Sequence, residues 1–172
     1  MRPLVLTELL DSLGISRLAI AERSLPLHPE ATALVLTETG VDGREHMLVA
    51  EAAAAWRSLK RVGARAGLDL RIVSAFRSIE RQAELIRHKL DAGQAIDDVL
   101  RISAPPGYSE HHTGRAVDVG APGRMSLEID FDRSDEFAWL VRHGGEFGFT
   151  LSYPAGNPHG FQYEPWHWCY RA

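Results

Sequence analysis

The sequence predicts an α+β protein, a small and mostly antiparallel sheet flanked by helices. Three observations carry this. Long segments of helical periodicity alternate irregularly with short runs of period-2 hydrophobicity. Glycine or proline punctuates nearly every change between them. No repeat or low-complexity segment interrupts the pattern. At 172 residues the chain fits one domain. Residues 1–40 read as an N-terminal extension and 44–170 as the core. A chain of this size buries about two thirds of its unfolded surface without disulfides.

The elements follow in order. Leu4, Leu6, Leu9, Leu10 and Leu13 predict a short amphipathic helix over 4–13, ended by Gly14. Residues 17–40 mix short apolar and polar runs with Pro26 and Pro29, and predict loops with a strand near 32–37. A helix is predicted over 44–66, capped by Asp42, on a stripe of Met47, Ala50, Ala54, Leu59 and Val62. Residues 70–75 alternate as a strand, and Ser78 starts a helix that runs to about Leu90. A short helix at 96–102 and a Pro-Pro-Gly loop lead to a strand at 116–119 and a turn at 120–123. Phe137, Leu140 and Val141 mark a helix over 134–146. Strands follow at 149–153 and 166–170, joined by a loop at 154–160.

Composition excludes several classes of function. Hydrophobic residues make up 45% and charged residues 24%, ordinary for a globular protein. The net charge of −4 and the absence of a basic stripe argue against a nucleic-acid partner. Cys169 is the sole cysteine, so neither an intrachain disulfide nor a cysteine-based zinc knuckle can form. No window is apolar enough to span a bilayer. Glu8 and Asp11 interrupt the segment where a signal peptide would need an unbroken apolar run. As written, the chain is expected in the cytoplasm; a chain trimmed of its leader would be periplasmic or extracellular.

The chemistry concentrates in S-E-H-H-T-G-R-A-V-D, residues 109–118. A catalytic zinc takes three protein ligands and keeps a position open. A loop histidine and Asp118 on the following strand supply two, with Gly114 turning the backbone between them. E-P-W-H-W, residues 164–168, offers the third in His167, and Pro165 keeps Glu164 and His167 off a regular helix. A carboxylate beside a catalytic zinc can act as general base, the role open to Glu164. The residues alone give one histidine from 111 or 112, Asp118, His167 and Glu164, and do not choose between the two histidines. Against this stand ordinary roles: exposed loop histidines and an aspartate capping a turn.

Three stretches together resemble a known family. Ser109, His111, Gly114, Ala116 and Asp118, then Glu164-Pro-Trp-His167, are similar to the D-alanyl-D-alanine carboxypeptidases of the vancomycin-resistance type. That zinc peptidase group also includes L,D-carboxypeptidases and phage endolysins. Ser74-Ala-Phe-Arg77-Ser78 with Gln82 is similar to a third family element, and the match runs from about 44 to 170. The resemblance implies Zn2+ on His111, Asp118 and His167, with His112 a neighbour. It implies Glu164 as general base, Arg77 as the group that polarises the scissile carbonyl, and Ser109 and Gln82 as substrate-holding residues. Phe76 departs from the pattern, standing where tyrosine is common.

The implied activity is removal of a terminal D-alanine from a peptidoglycan-type stem peptide. The alternatives are an endolysin-like endopeptidase and a non-catalytic zinc-containing cell-wall binding module. Trp166 and Trp168 flank His167 on an expected strand and should both point away from it into the core. Cys169 should share the side of His167 as a buried thiol. Glu110 reads as a solvated loop residue, and so by default does His159, with the border of the cleft as its alternative place.

Overall fold

A computed structural model describes residues 3–171. Among the described residues, six α-helices and six strands form a four-stranded sheet, a separate hairpin and two helical groups. Helices α1 (Pro3–Ser12) and α2 (Arg17–Glu22) come first. The hairpin β1 (Val35–Thr39) and β2 (Glu45–Leu48) leads into α3 (Ala50–Arg65). Then come β3 (Arg71–Ser74), α4 (Ile79–Asp91) and α5 (Ile96–Ile102). Strand β4 (Ala116–Gly120), α6 (Asp135–His143), β5 (Phe149–Leu151) and β6 (His167–Tyr170) complete the chain. The sheet order is β3-β4-β6-β5, every neighbouring pair antiparallel.

Two apolar clusters hold these layers. One packs α3 and α6 on the sheet through Trp56, Leu59, Ile72, Val117, Leu140 and Trp168. Burying one side chain of this size contributes about 1.5–3 kcal/mol. The other joins α1, α2, α4 and α5 through Leu10, Ile20, Ile86 and Val99, and meets Tyr153 and Phe161. The N-terminal segment is therefore built into the wall beside α4. Leu6, Leu9, Leu10 and Leu13 of the expected stripe are buried or half-buried, whereas the side chain of Leu4 lies outside the described residues.

The structure revises several elements. Helix α3 begins at Ala50, not 44, with Val49 at its N-cap and no side-chain cap. Residues 45–48 pair with β1 and alternate in burial, His46 and Leu48 inward. Met47 therefore lies on a strand; its spacing from Ala50 mimics a helical stripe. Asp42 caps no helix: its Oδ1 accepts the Arg44 N–H at 3.1 Å inside the hairpin turn. The buried ridge of α3 is Ala52, Ala53, Trp56, Leu59 and Gly63, while Ala54 and Val62 face solvent. Helix α2, read as loop from sequence, is capped by Ser16, whose Oγ accepts the Leu18 N–H at 3.2 Å. In α6 it is Trp139 and Leu140 that are buried, and Val141 is 58% exposed.

Candidate metal and substrate site

Asp118 sits at the centre of the sheet, opposite Ser74 on β3 and His167 on β6. Direct opposition across antiparallel strands places the Asp118 and His167 side chains on one face. His111 arrives from a 3-10 turn at Glu110–Thr113 that ends on Gly114. Gly114 has φ 64°, and a Cβ there would lie 2.8 Å from Leu34 Cδ2 and 3.2 Å from the Val49 nitrogen. Only glycine allows the chain to double back into β4 at this point.

All three side chains are buried, and one donor atom from each lies within 4.8 Å of the others. His111 Nε2 is 3.1 Å from Asp118 Oδ2, and His167 Nδ1 is 3.0 Å from Asp118 Oδ1. His111 Nδ1 donates to the Ala75 carbonyl at 2.6 Å, which leaves its Nε2 lone pair facing Asp118. Two imidazole nitrogens and one carboxylate oxygen form a donor set that suits zinc, with room for an open position. The donor chemistry and its convergence in a buried pocket fit the metal.

His112 is excluded by its own hydrogen bonds. Its Nδ1 donates to the Arg77 carbonyl at 2.7 Å, and its Nε2 accepts the Gly107 N–H at 3.1 Å. Both ring nitrogens are spent on backbone, and burial pushes its pKa down to about 4. The ring ties the approach to α4 to the loop before the ligand turn.

Glu164 stands beside the triad, its Oε2 3.8 Å from His167 Nδ1. The His167 N–H donates to the Glu164 carbonyl at 3.1 Å, closing a turn with Pro165 in its second position, where a fixed φ is favourable. Residues 164–166 are thus a turn, and the strand begins at His167. Burial raises the Glu164 carboxyl to about 7; the Asp118 charge adds to this and the His167 and Arg77 charges oppose it.

These residues open onto a cavity of about 460 Å3 bordered also by Arg77, Gln82, Ser109, Tyr153 and Trp166. Gln82 donates from Nε2 to the Ala104 carbonyl at 2.7 Å, while its buried Oε1 has no partner. Arg77 Nε is likewise buried and unpartnered. A free acceptor and a free cationic donor at one cavity are what a polar ligand would satisfy. Phe76 is not among the lining residues.

Two expectations are corrected here, those for Glu110 and His159, and a third, that for Trp166, is refined. Glu110 is buried, not solvated: it meets His167 Nε2 at 3.1 Å, accepts Ser152 Oγ at 2.6 Å and pairs with Arg171. Trp168 joins the core as expected; Trp166 lies on the turn, packs partly buried against the same core cluster and also borders the cavity. His159 is half-buried and not fully solvated: its carbonyl accepts the Arg23 Nε–H at 2.7 Å, its Nδ1 lies 3.3 Å from the Arg23 carbonyl, and it is not among the cavity-lining residues. Gln82 and Ser109 are buried where they border the cavity. Cys169 is a buried thiol, pushed up to about 12 by burial and by the Glu110 charge.

Sequence reading did not single out Tyr153 or Lys89. The Tyr153 ring packs against His167 with centroids 4.6 Å apart, and Lys89 borders the cavity with its Nζ 2.8 Å from Ser103 Oγ. Neither stands in a motif. Lys89 occupies an ordinary helix position and Tyr153 follows an ordinary strand.

The family model described as VanY, D-alanyl-D-alanine carboxypeptidase, matches residues 45–172. The chain belongs to this family. YodJ of Bacillus subtilis (strain 168) is 26% identical over 164 residues, covering 91% of this chain and 60% of YodJ. The chain spans between 20% and 65% of the length of the curated relatives it matches. Among solved structures, the LdcB LD-carboxypeptidase superposes with a TM-score of 0.73 at 27% identity, covering 84% of this chain and 71% of LdcB. A variant of the vancomycin-resistance D,D-pentapeptidase VanY in complex with Zn(II) gives 0.63 at 25% identity, covering 87% and 88%. The VanY-type fold with a Zn(II)-bearing neighbour agrees with the His-Asp-His donor set as a zinc site.

The charges at this site make the metal-free protein's stability depend on pH. Burial lowers the His167 pKa, but hydrogen bonds to Asp118 and Glu110 more than offset this and raise it to about 10. That stabilisation is complete below the unfolded value of 6.5 and is lost as pH rises toward about 10. Asp118 and Glu110 are held well below the usual carboxylate range by their histidine partners despite burial, so their contributions are lost as pH falls below ordinary carboxylate values. Glu164, raised, favours the folded state at low pH and loses that advantage on the way to about 7. His111 and His112, both lowered by burial, add stability that is lost as pH falls below the unfolded value of 6.5. The melting temperature of metal-free protein is therefore expected to peak near about pH 6–7 and fall on both sides. Saturating zinc takes the place of the His167 proton and should remove the alkaline decline. A metal-free melting curve flat from neutral to alkaline pH would contradict these assignments.

Proposed function

We propose that the protein is a zinc carboxypeptidase that removes the terminal D-alanine from peptidoglycan-type stem peptides. The observation that carries this is the buried His111–Asp118–His167 cluster opening, beside Glu164, onto a cavity with an unpartnered Arg77 Nε and Gln82 Oε1. VanY-family membership and the likeness to D,D- and LD-carboxypeptidases support it.

The zinc held by His111, Asp118 and His167 would supply an activated water and polarise the scissile carbonyl. Glu164 takes a proton in the attack and delivers it to the leaving amine; its carboxyl, raised to about 7, suits exchange in both directions near neutral pH. Arg77 turns its free guanidinium edge to the oxygen on which charge develops. It remains charged although burial lowers its pKa, since the Asp118 and Glu164 charges oppose that loss. Gln82 gives one of its two N–H groups to Ala104, and its unpartnered Oε1 can accept a peptide N–H of the substrate. Ser109 adds a hydroxyl to the same wall.

The test is to incubate zinc-loaded protein with tripeptide, tetrapeptide and pentapeptide stems and weigh the products. Loss of a single terminal D-alanine is the expected result, and the stem that loses it assigns D,D or L,D specificity. Cleavage at an internal bond makes the protein an endopeptidase, and no cleavage of any stem overturns the enzymatic reading. Among the described residues no helix is long and apolar enough to cross a membrane.

A further inference from the structure

We propose that Glu110 is a positioning residue that fixes the ring of His167, so that Nδ1 is the atom presented to the metal. This rests on the reading of His167 as a zinc ligand. A neutral imidazole carries one N–H and one lone pair, and a metal needs the lone pair on the nitrogen that faces it. Something on the far side of the ring has to accept the remaining N–H. For His111 that acceptor is a backbone carbonyl, Ala75, at 2.6 Å. For His167 it is the Glu110 carboxylate, 3.1 Å from Nε2, while Nδ1 faces Asp118 at 3.0 Å.

Glu110 is itself held. Ser152 Oγ donates to its Oε2 at 2.6 Å, and Arg171 pairs with its Oε1. The carboxylate is 6% exposed and does not border the large cavity; it lines a second cavity of about 230 Å3. It therefore touches neither substrate nor the reacting atoms, and it acts through His167. A charged acceptor also strengthens the donor nitrogen opposite, which a carbonyl does less. Because Glu110 and His111 are adjacent on one 3-10 turn, that turn supplies one ligand and orients the other.

The test compares zinc affinity, measured by competition with a chromophoric chelator, in the full-length protein and four variants. Glu110→Ala should weaken zinc binding about 10–100-fold, the usual effect of removing such a partner. Glu110→Gln keeps a neutral acceptor and should recover part of the loss. Its Co(II)-substituted form should absorb at a shifted wavelength. Arg171→Ala, which removes the ion pair but leaves the carboxylate, should stay within a few-fold of the parent by the same measure. His167→Ala separates the two readings. If it leaves affinity unchanged, His167 is not a ligand and the underlying site reading fails. If it lowers affinity while Glu110→Ala and Glu110→Gln do not, the positioning role fails. Should Glu110→Ala not fold, the near-isosteric Gln variant decides alone. Parent-like affinity and an unshifted Co(II) spectrum in that variant overturn the proposal.

Discussion

Glu164→Ala is expected to bind zinc at the parent stoichiometry and to lose nearly all turnover. General-base catalysis contributes about 10²–10⁴-fold, so kcat should fall by about that factor. The zinc prediction follows from geometry. Glu164 Oε2 lies 3.8 Å from His167 Nδ1 and is not part of the three-residue donor cluster. The fold should tolerate the change, because burial disfavours the ionised Glu164 carboxylate in the first place. Metal content by emission spectrometry and product formation by mass, measured on one preparation, check this. Zinc lost along with activity would make Glu164 a ligand or a structural residue. Full turnover with zinc retained would remove it from the mechanism.

The adjacent histidines should behave as opposites. His111→Ala deletes a donor whose Nε2 lies 3.1 Å from Asp118, and should abolish both high-affinity zinc binding and turnover. His112→Ala should keep zinc, since neither of its ring nitrogens faces the cluster. It instead strands the Gly107 N–H and the Arg77 carbonyl, and each buried orphan costs about 1–3 kcal/mol. Denaturant unfolding should register that loss, with zinc stoichiometry unchanged. Zinc lost in His112→Ala and retained in His111→Ala would reverse the ligand assignment. Chelator treatment of the parent protein should reproduce the His111→Ala phenotype and be undone by zinc. Verified metal-free protein that cleaves D-alanyl peptides at the full rate would end the metallopeptidase reading.

Much of the fold was legible because local and tertiary demands agree. Ser78 caps α4 as its position suggests, its Oγ accepting the Arg81 N–H at 3.0 Å. Strands β3, β4 and β6 lie where short apolar runs are bounded by turns. Two elements departed from the local pattern. Residues 45–48 are a strand because β1 pairs with them, although their spacing also continues the stripe of α3. Helix α2 is only six residues long, too short for periodicity to register.

The sequence by itself determined the donor types, their order and a pair of adjacent histidines, His111 and His112, of which one would bind. Cysteine is nearly absent, so a metal site had to be built from histidine and carboxylate, and motif spacing located it. The tertiary structure decided what each side chain is free to do. His111 keeps a lone pair because Ala75 takes its N–H, and His112 keeps none because Arg77 and Gly107 use both nitrogens. Glu110 looks like a loop carboxylate until the fold brings His167, Ser152 and Arg171 to it, 57, 42 and 61 residues away. Hydrogen-bond partners that distant in sequence leave no local periodicity. An acid beside a histidine reads the same whether its neighbours are water or a buried ring.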